Sequence, residues 1–265
     1  MNIDLNLIKD IVISASKAEL LPRFNTVERA YKPDGSVVTE ADLVMQEQLI
    51  SRLKEAYPEI ELLGEEMTTE KQQSLLDSGK ALWCLDPVDG TSNFAAGLPY
   101  FSVSLALIEN GIATLGIVYD PIRDECFSAQ LGQGAHLNDH ALSTKETGLS
   151  LQRAIALIDF KRLSPELATQ LVTELPYGSQ RSLGSIALEL CWLAAGRSHI
   201  YLHAKQHLWD YAAALLILTE AGGHACTLEG QLLSSNQLTP NSTIAALDKS
   251  LFASWCHYLN VVQVS

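Results

Sequence analysis

Positive charge is scarce in this chain. Eighteen lysines and arginines stand against 31 aspartates and glutamates in 265 residues, a formal charge of −13. So acidic a surface repels nucleic acid and anionic membrane, and argues against both as partners. Long hydrophobic runs are missing too: none reaches the ~18 residues of a membrane span. Met1-Asn2-Ile3-Asp4 has neither the basic start nor the apolar core of a signal peptide. There is no Gly/Ser tract, no Pro-rich run, no block of like charge and no internal repeat, so no linker divides the chain. The five cysteines (Cys84, Cys126, Cys191, Cys226, Cys256) are scattered singly in mostly apolar segments, unlike a disulfide frame or a zinc site. Together these absences lead us to expect a cytoplasmic globular protein, one domain over 1–265 with sub-layers at about 1–145 and 146–265.

What the chain does contain is organised around Trp83-Cys84-Leu85-Asp86-Pro87-Val88-Asp89-Gly90-Thr91-Ser92-Asn93-Phe94. The apolar start reads as a buried strand that breaks at Pro87, leaving Asp86 and Asp89 on a turn where their side chains can converge. Carboxylates and a backbone carbonyl suit hard cations such as Mg²⁺. Gly90 lets backbone approach a ligand closely, and the amides after it can donate to an anion. Asp, Pro and Gly also dominate ordinary turns, so this stretch alone does not choose between a turn and a site.

Around it, periodicity predicts a helix over about 5–20 carrying Ile8, Ile11/Val12 and Ala15, and a turn at Lys32-Pro33-Asp34-Gly35. A second helix opens at Thr39-Glu40-Ala41-Asp42, with Leu43, Ile50, Leu53 and Tyr57 expected on its buried face. Thr39 and Asp42 have capping-box spacing. Ile60 to Leu63 reads as a strand delivering Glu65. Asn110-Gly111 between two strand-like runs signals a hairpin, and further strands are expected over 124–130 and 135–138. Later segments alternate: a strand at 154–158, a helix at 165–174, a helix at 185–195, and a strand at 199–203. A helix from about Trp209 to Ala221 follows, closed by Gly222-Gly223, then two strands and a helix near 250–259. His203 and His207 fall on an expected loop, with no glutamate between them as a zinc-protease motif would need. Separate helix and strand layers indicate an α+β or layered α/β fold.

Gly64-Glu65-Glu66, then Asp86-Pro87-Val88-Asp89-Gly90-Thr91-Ser92, then Trp209-Asp210 ahead of Glu220-Ala221-Gly222-Gly223, resembles the inositol monophosphatase family, from about Val37 to Gly223. The resemblance implies an αβαβα sandwich of the inositol monophosphatase/fructose bisphosphatase type and a Mg²⁺-dependent, lithium-sensitive phosphomonoesterase using two or three ions. It implies metal ligation by Glu65, Asp86, the Val88 carbonyl, Asp89 and Asp210, with Asp86 bridging. Asp42, Glu65 and Thr91 would be catalytic, Asp42 and Thr91 together positioning the attacking water. Gly90, Thr91, Ser185, Ile186 and Asp210 would contact substrate, a small phosphate ester, and a homodimer is expected. With a phosphate ester as substrate, an acidic cluster makes sense only if cations neutralise it.

The chain departs from the family before Trp209. Where a glutamate binds sugar hydroxyls, this chain has His203, and two positions on Lys205 replaces a glycine. These offer donors instead of acceptors and place both residues among the candidate substrate contacts. They put inositol 1-phosphate in doubt and keep a nucleotide 3′-phosphatase or sugar bisphosphatase open, beside a regulatory binding protein that retains the fold.

Overall fold

Asp4 starts the first helix by accepting the Asn6 and Leu7 amides at 2.9 and 3.3 Å, and α1 (Leu5–Glu19) buries Ile8, Val12 and Ala15. The computed structural model describes residues 3–31 and 37–262, so the turn expected at 32–35 lies outside the described residues. A short ribbon, β1 (Ala30–Tyr31) with β2 (Val37–Val38), leads to α2 (Glu40–Ala56). The inward face of α2 matches the expected one at Leu53 but not at Leu43. Met45, Leu49 and Leu53 are buried with Asp42 and Gln46, whereas Leu43 is 48% exposed.

A seven-stranded sheet follows: β3 (Glu61–Gly64), β4 (Leu82–Asp89), β5 (Ser102–Glu109), β6 (Ile112–Asp120), β7 (Glu125–Gln130), β8 (Ala135–Leu137) and β9 (His140–Leu142), in that spatial order. Only β3–β4 is parallel; the other pairs are antiparallel. Asn110 and Gly111, with φ of 53° and 75°, make the tight turn between β5 and β6. Two short helices escaped the periodicity: α3 (Thr69–Asp77) between β3 and β4, and α4 (Thr91–Ala96) after β4. Nor does β4 break at Pro87. Asp86 pairs with Ser104 and Asp89 with Ser102, so one extra residue is absorbed at Pro87-Val88. Such a bulge tolerates proline because the ladder is interrupted there.

The second sheet, ordered β11-β10-β12-β14-β13, uses β10 (Ile155–Ile158), β11 (Ser179–Arg181), β12 (Ile200–Gln206), β13 (His224–Cys226) and β14 (Asn241–Ala246). Helix α5 (Pro165–Glu174) connects β10 to β11, and α8 (Lys249–Tyr258) packs on β12, β13 and β14. The strand expected at 199–203 runs on as β12 to Gln206, so His203 lies within it and only His207 is left between strand and helix. Between the sheets lie α6 (Ile186–Ala194) and α7 (Leu208–Glu220). α7 buries Trp209, Tyr211, Ala213, Leu216 and Ile217, residues that circle the helix, as a helix covered on both sides must. Its close crossing of β6 needs Gly116, where a Cβ would stand 2.6 Å from the Ala213 carbonyl. With α1 and α2 on the outer face of the first sheet, the layers run αβαβα, as the sequence resemblance implies. Among the described residues no helix is long and apolar enough to cross a membrane, and all five cysteines are buried free thiols.

Candidate active site

The Glu65 amide donates to the Leu85 carbonyl at 3.1 Å, extending the parallel β3–β4 pairing by one residue and setting Glu65 beside Asp86. At the same end of the sheet begin α2, α6 and α7, whose N-termini favour negative charge. A cavity of about 280 Å³ opens there, lined by Glu65, Asp86, Val88, Asp89, Thr91 and Asp210 among others. Residues as far apart in sequence as Val37 and Asp210 thus reach one site.

Asp42 serves helix and site through different oxygens. Its Oδ2 accepts the Thr39 amide at 2.8 Å and the Thr39 hydroxyl at 2.7 Å, completing the capping box. Its Oδ1 accepts the Thr91 hydroxyl at 3.0 Å, with the Val88 carbonyl 2.9 Å from the same hydroxyl. Asp210 behaves alike, its Oδ2 taking the His207 amide at 2.8 Å at the start of α7. Ser104 steadies that start by donating to the Trp209 carbonyl at 3.1 Å. Asp86 Oδ1 accepts the Val88 amide at 3.0 Å, holding the bulge.

Asp89 has a second task that its motif does not reveal. Its Oδ1 accepts the Ile186 amide at 2.9 Å; its Oδ2 accepts Ala187 at 2.8 Å and the hydroxyls of Ser185 at 2.5 Å and Ser102 at 3.2 Å. A carboxylate from β4 therefore caps α6, nearly a hundred residues later. Ser185 is buried with its hydroxyl on Asp89, while Gly184 and Ile186 line the cavity. Gly90 has φ of 97°, and a Cβ there would meet the Gly184 and Tyr100 carbonyls at 3.2 Å. The position needs glycine for both reasons.

Burial and crowding raise the affinity of these carboxyls for protons. Asp86 is pushed well up by burial, then by Glu65, Asp89, Asp210 and Asp42. Burial also raises Asp210, with Glu65 and Asp89 adding to it, and raises Asp89 against its four donors. Asp42 rises to about 6, burial outweighing its bonds from Thr39 and Thr91. Hard oxygen donors facing one another across a polar cavity suit Mg²⁺, and Asp89 Oδ1, with one donor, retains capacity for a cation. Among the described residues no three His, Cys, Asp or Glu side chains stand close enough to hold an ion as they are. An ion would have to draw this set inward.

His203 lines the cavity but offers it no free ring nitrogen. Its Nε2 donates to Asp159 at 2.9 Å and its Nδ1 accepts the Lys205 amide at 3.2 Å, so both ring nitrogens are engaged within the protein. The side chain of Lys205 also lines the cavity. The motifs also missed Asp159, Lys161 and Arg162, which line the same wall, and no local pattern marks them.

Behind the loop, buried Glu189 accepts the Leu183 and Gly184 amides at 2.6 and 3.1 Å. Burial pushes its carboxyl up to about 8 despite these bonds. Glu189→Leu would strand two amides, at about 1–3 kcal/mol each. Thermal denaturation should show a clear loss for Glu189→Leu and a smaller one for Glu189→Gln, which keeps an acceptor.

Both the sequence and the layered architecture match known relatives. An inositol-1-monophosphatase of Bacillus subtilis is 34% identical over 242 residues, 88% of each chain. A protein named Nus factor SuhB from Xylella fastidiosa is 32% identical over 231 residues, 83% of this chain and 82% of that one. The solved structure of a Thermotoga maritima IMPase superposes with a TM-score of 0.81 at 28% identity, covering 96% of this chain and 93% of its own. The model of the inositol monophosphatase family matches residues 3–261, and the chain belongs to that family.

Proposed function

We propose that this protein is a Mg²⁺-dependent phosphomonoesterase in which water attacks a small phosphate ester directly. The observation that carries the reading is the cavity where Glu65, Asp86, Asp89 and Asp210 meet the Thr91–Asp42 pair. Two or three Mg²⁺ ions, held by those carboxylates and the Val88 carbonyl, would supply the charge that offsets the phosphate, activates water and steadies the leaving oxygen. With the Val88 carbonyl engaged by a cation, the single hydroxyl hydrogen of Thr91 would go to Asp42, leaving its oxygen to accept a hydrogen from the attacking water. Asp42, raised to about 6, is a base suited to neutral pH and receives the proton through Thr91. The Gly90 and Thr91 amides, at the first turn of α4, would hold phosphate oxygens. A homodimer in the cytoplasm belongs to the same reading.

The Nus factor name of the Xylella relative favours a second reading, a regulatory protein that keeps this fold and acts through a partner surface. One assay separates them. Purified protein tested on a panel of phosphate esters should release phosphate with Mg²⁺, stop when the metal is chelated, and be inhibited by millimolar lithium. Li⁺ is close to Mg²⁺ in size but carries half its charge. No hydrolysis across the panel would favour the regulatory reading.

A further inference from the structure

The cavity that holds the carboxylates is also lined by three basic residues, Lys161, Arg162 and Lys205, carried by the second sheet and its connections. β10 and β12 run parallel with Ile158 beside Leu202, and the Asp159 amide donates to the Leu202 carbonyl at 3.1 Å. Asp159 and His203 therefore leave adjacent strands side by side, joined at 2.9 Å. The pair then organises its neighbours through their backbones. Asp159 Oδ1 accepts the Lys161 amide at 2.9 Å, and His203 Nδ1 accepts the Lys205 amide at 3.2 Å. Arg162 follows Lys161 in the same helical turn, Phe160–Arg162. All three cationic side chains line the cavity that holds the carboxylates.

In a chain of −13 this clustering calls for an anionic ligand. Three positive charges against Asp159 leave an excess of about two, the charge of one phosphate group near neutral pH. The scissile phosphate would be met by the carboxylates and the cations they are proposed to hold. Arg162 also acts on Asp159 and Asp210, but a neutral polyol would bring no anion to the remaining positive charge.

We infer that the substrate carries a second anionic group, a phosphate, on its alcohol portion, seated by Lys161, Arg162 and Lys205 on a frame set by Asp159 and His203. The inference rests on the phosphomonoesterase reading and narrows its substrate to a bisphosphorylated sugar, polyol or nucleoside. Asp159 and His203 are positioning residues here: their ring and carboxylate contacts fix the lysine backbones.

The test compares a hexose 1-phosphate with the matching hexose 1,6-bisphosphate. The bisphosphate should have a KM lower by roughly tenfold or more, since charge-assisted hydrogen bonds to a second phosphate are strong. In Arg162→Ala/Lys205→Ala the ratio of the two KM values should fall toward one, through KM and not kcat. Both substituted residues are exposed, so the fold should tolerate the change. Binding is read separately by calorimetry with Mg²⁺ in an Asp42→Asn background, where hydrolysis is suppressed. Tighter binding of the bisphosphate there supports the inference even if the wild-type chain hydrolyses neither ester, a result that would count only against the proposed function. Equal binding of the two esters, or a bisphosphate preference that survives the double substitution, would overturn it.

Discussion

Asp86→Asn is expected to abolish turnover and, in metal-free protein, to raise the melting temperature. Asp86 is 3% exposed, and Glu65, Asp89, Asp210 and Asp42 all act on it. Removing its charge takes away the acceptor central to the proposed cation cluster. Asp42→Asn affects the handling of one proton, a loss on the order of 10²–10⁴-fold. Asp86→Asn should fall at or beyond the upper end of that range. The same substitution relieves repulsion among buried carboxylates, worth roughly 0.5–2 kcal/mol, or about 1–8 °C in a protein of this size. Phosphate release and differential scanning calorimetry in chelator read the two effects. An active Asp86→Asn variant at ordinary Mg²⁺ would refute the assignment. A melting temperature that fell in chelator would show that carboxylate repulsion at Asp86 does not limit the stability of the metal-free fold.

Mg²⁺ should raise the melting temperature of the wild-type protein, and by more at pH 8 than at pH 5. Asp42 rises to about 6, and Asp86, Asp89 and Asp210 are raised too. Each has a folded-state pKa above its unfolded one. The stability such a group contributes is complete below its unfolded pKa near 4 and is lost as pH climbs through the folded value. Metal-free protein should therefore lose stability from about pH 4 upward, and Glu189, at about 8, prolongs the decline. Mg²⁺ binds the ionised carboxylates, so protons compete with it at pH 5. At a hundredfold excess over Kd each site contributes about 2.7 kcal/mol. Two sites give roughly 10–20 °C at pH 8. A thermal shift equal at both pH values, or larger at pH 5, would contradict this account of the cluster.

Features formed within a few residues were legible in the sequence. The Thr39–Asp42 box, the Asn110-Gly111 turn and the end of α7 at Gly222 each depend on neighbours and appear where expected. Motif order was enough to identify the family and so the layered fold. Helix faces and strand ends were less legible because tertiary packing sets them. α2 turns Asp42 and Gln46 inward because the site and the β3 end need them: Gln46 accepts the Glu66 amide at 3.2 Å. That rotation leaves Leu43 in solvent, against what hydrophobicity alone suggests. β4 continues past Pro87 because a bulge opposite β5 removes the need for the missing amide hydrogen.

The candidate site divides along the same line. The Asp86–Asp89 turn drew attention by its own chemistry, and the family resemblance, carried by motifs in order, added Asp42, Glu65, Thr91 and Asp210. Only the tertiary structure decided that Asp89 also caps α6, that His203 has both nitrogens occupied, and that Asp159, Lys161 and Arg162 share its wall. Those contacts join separate strands and helices, and hydrogen bonding between them depends on the register of two sheets. No local pattern encodes that register.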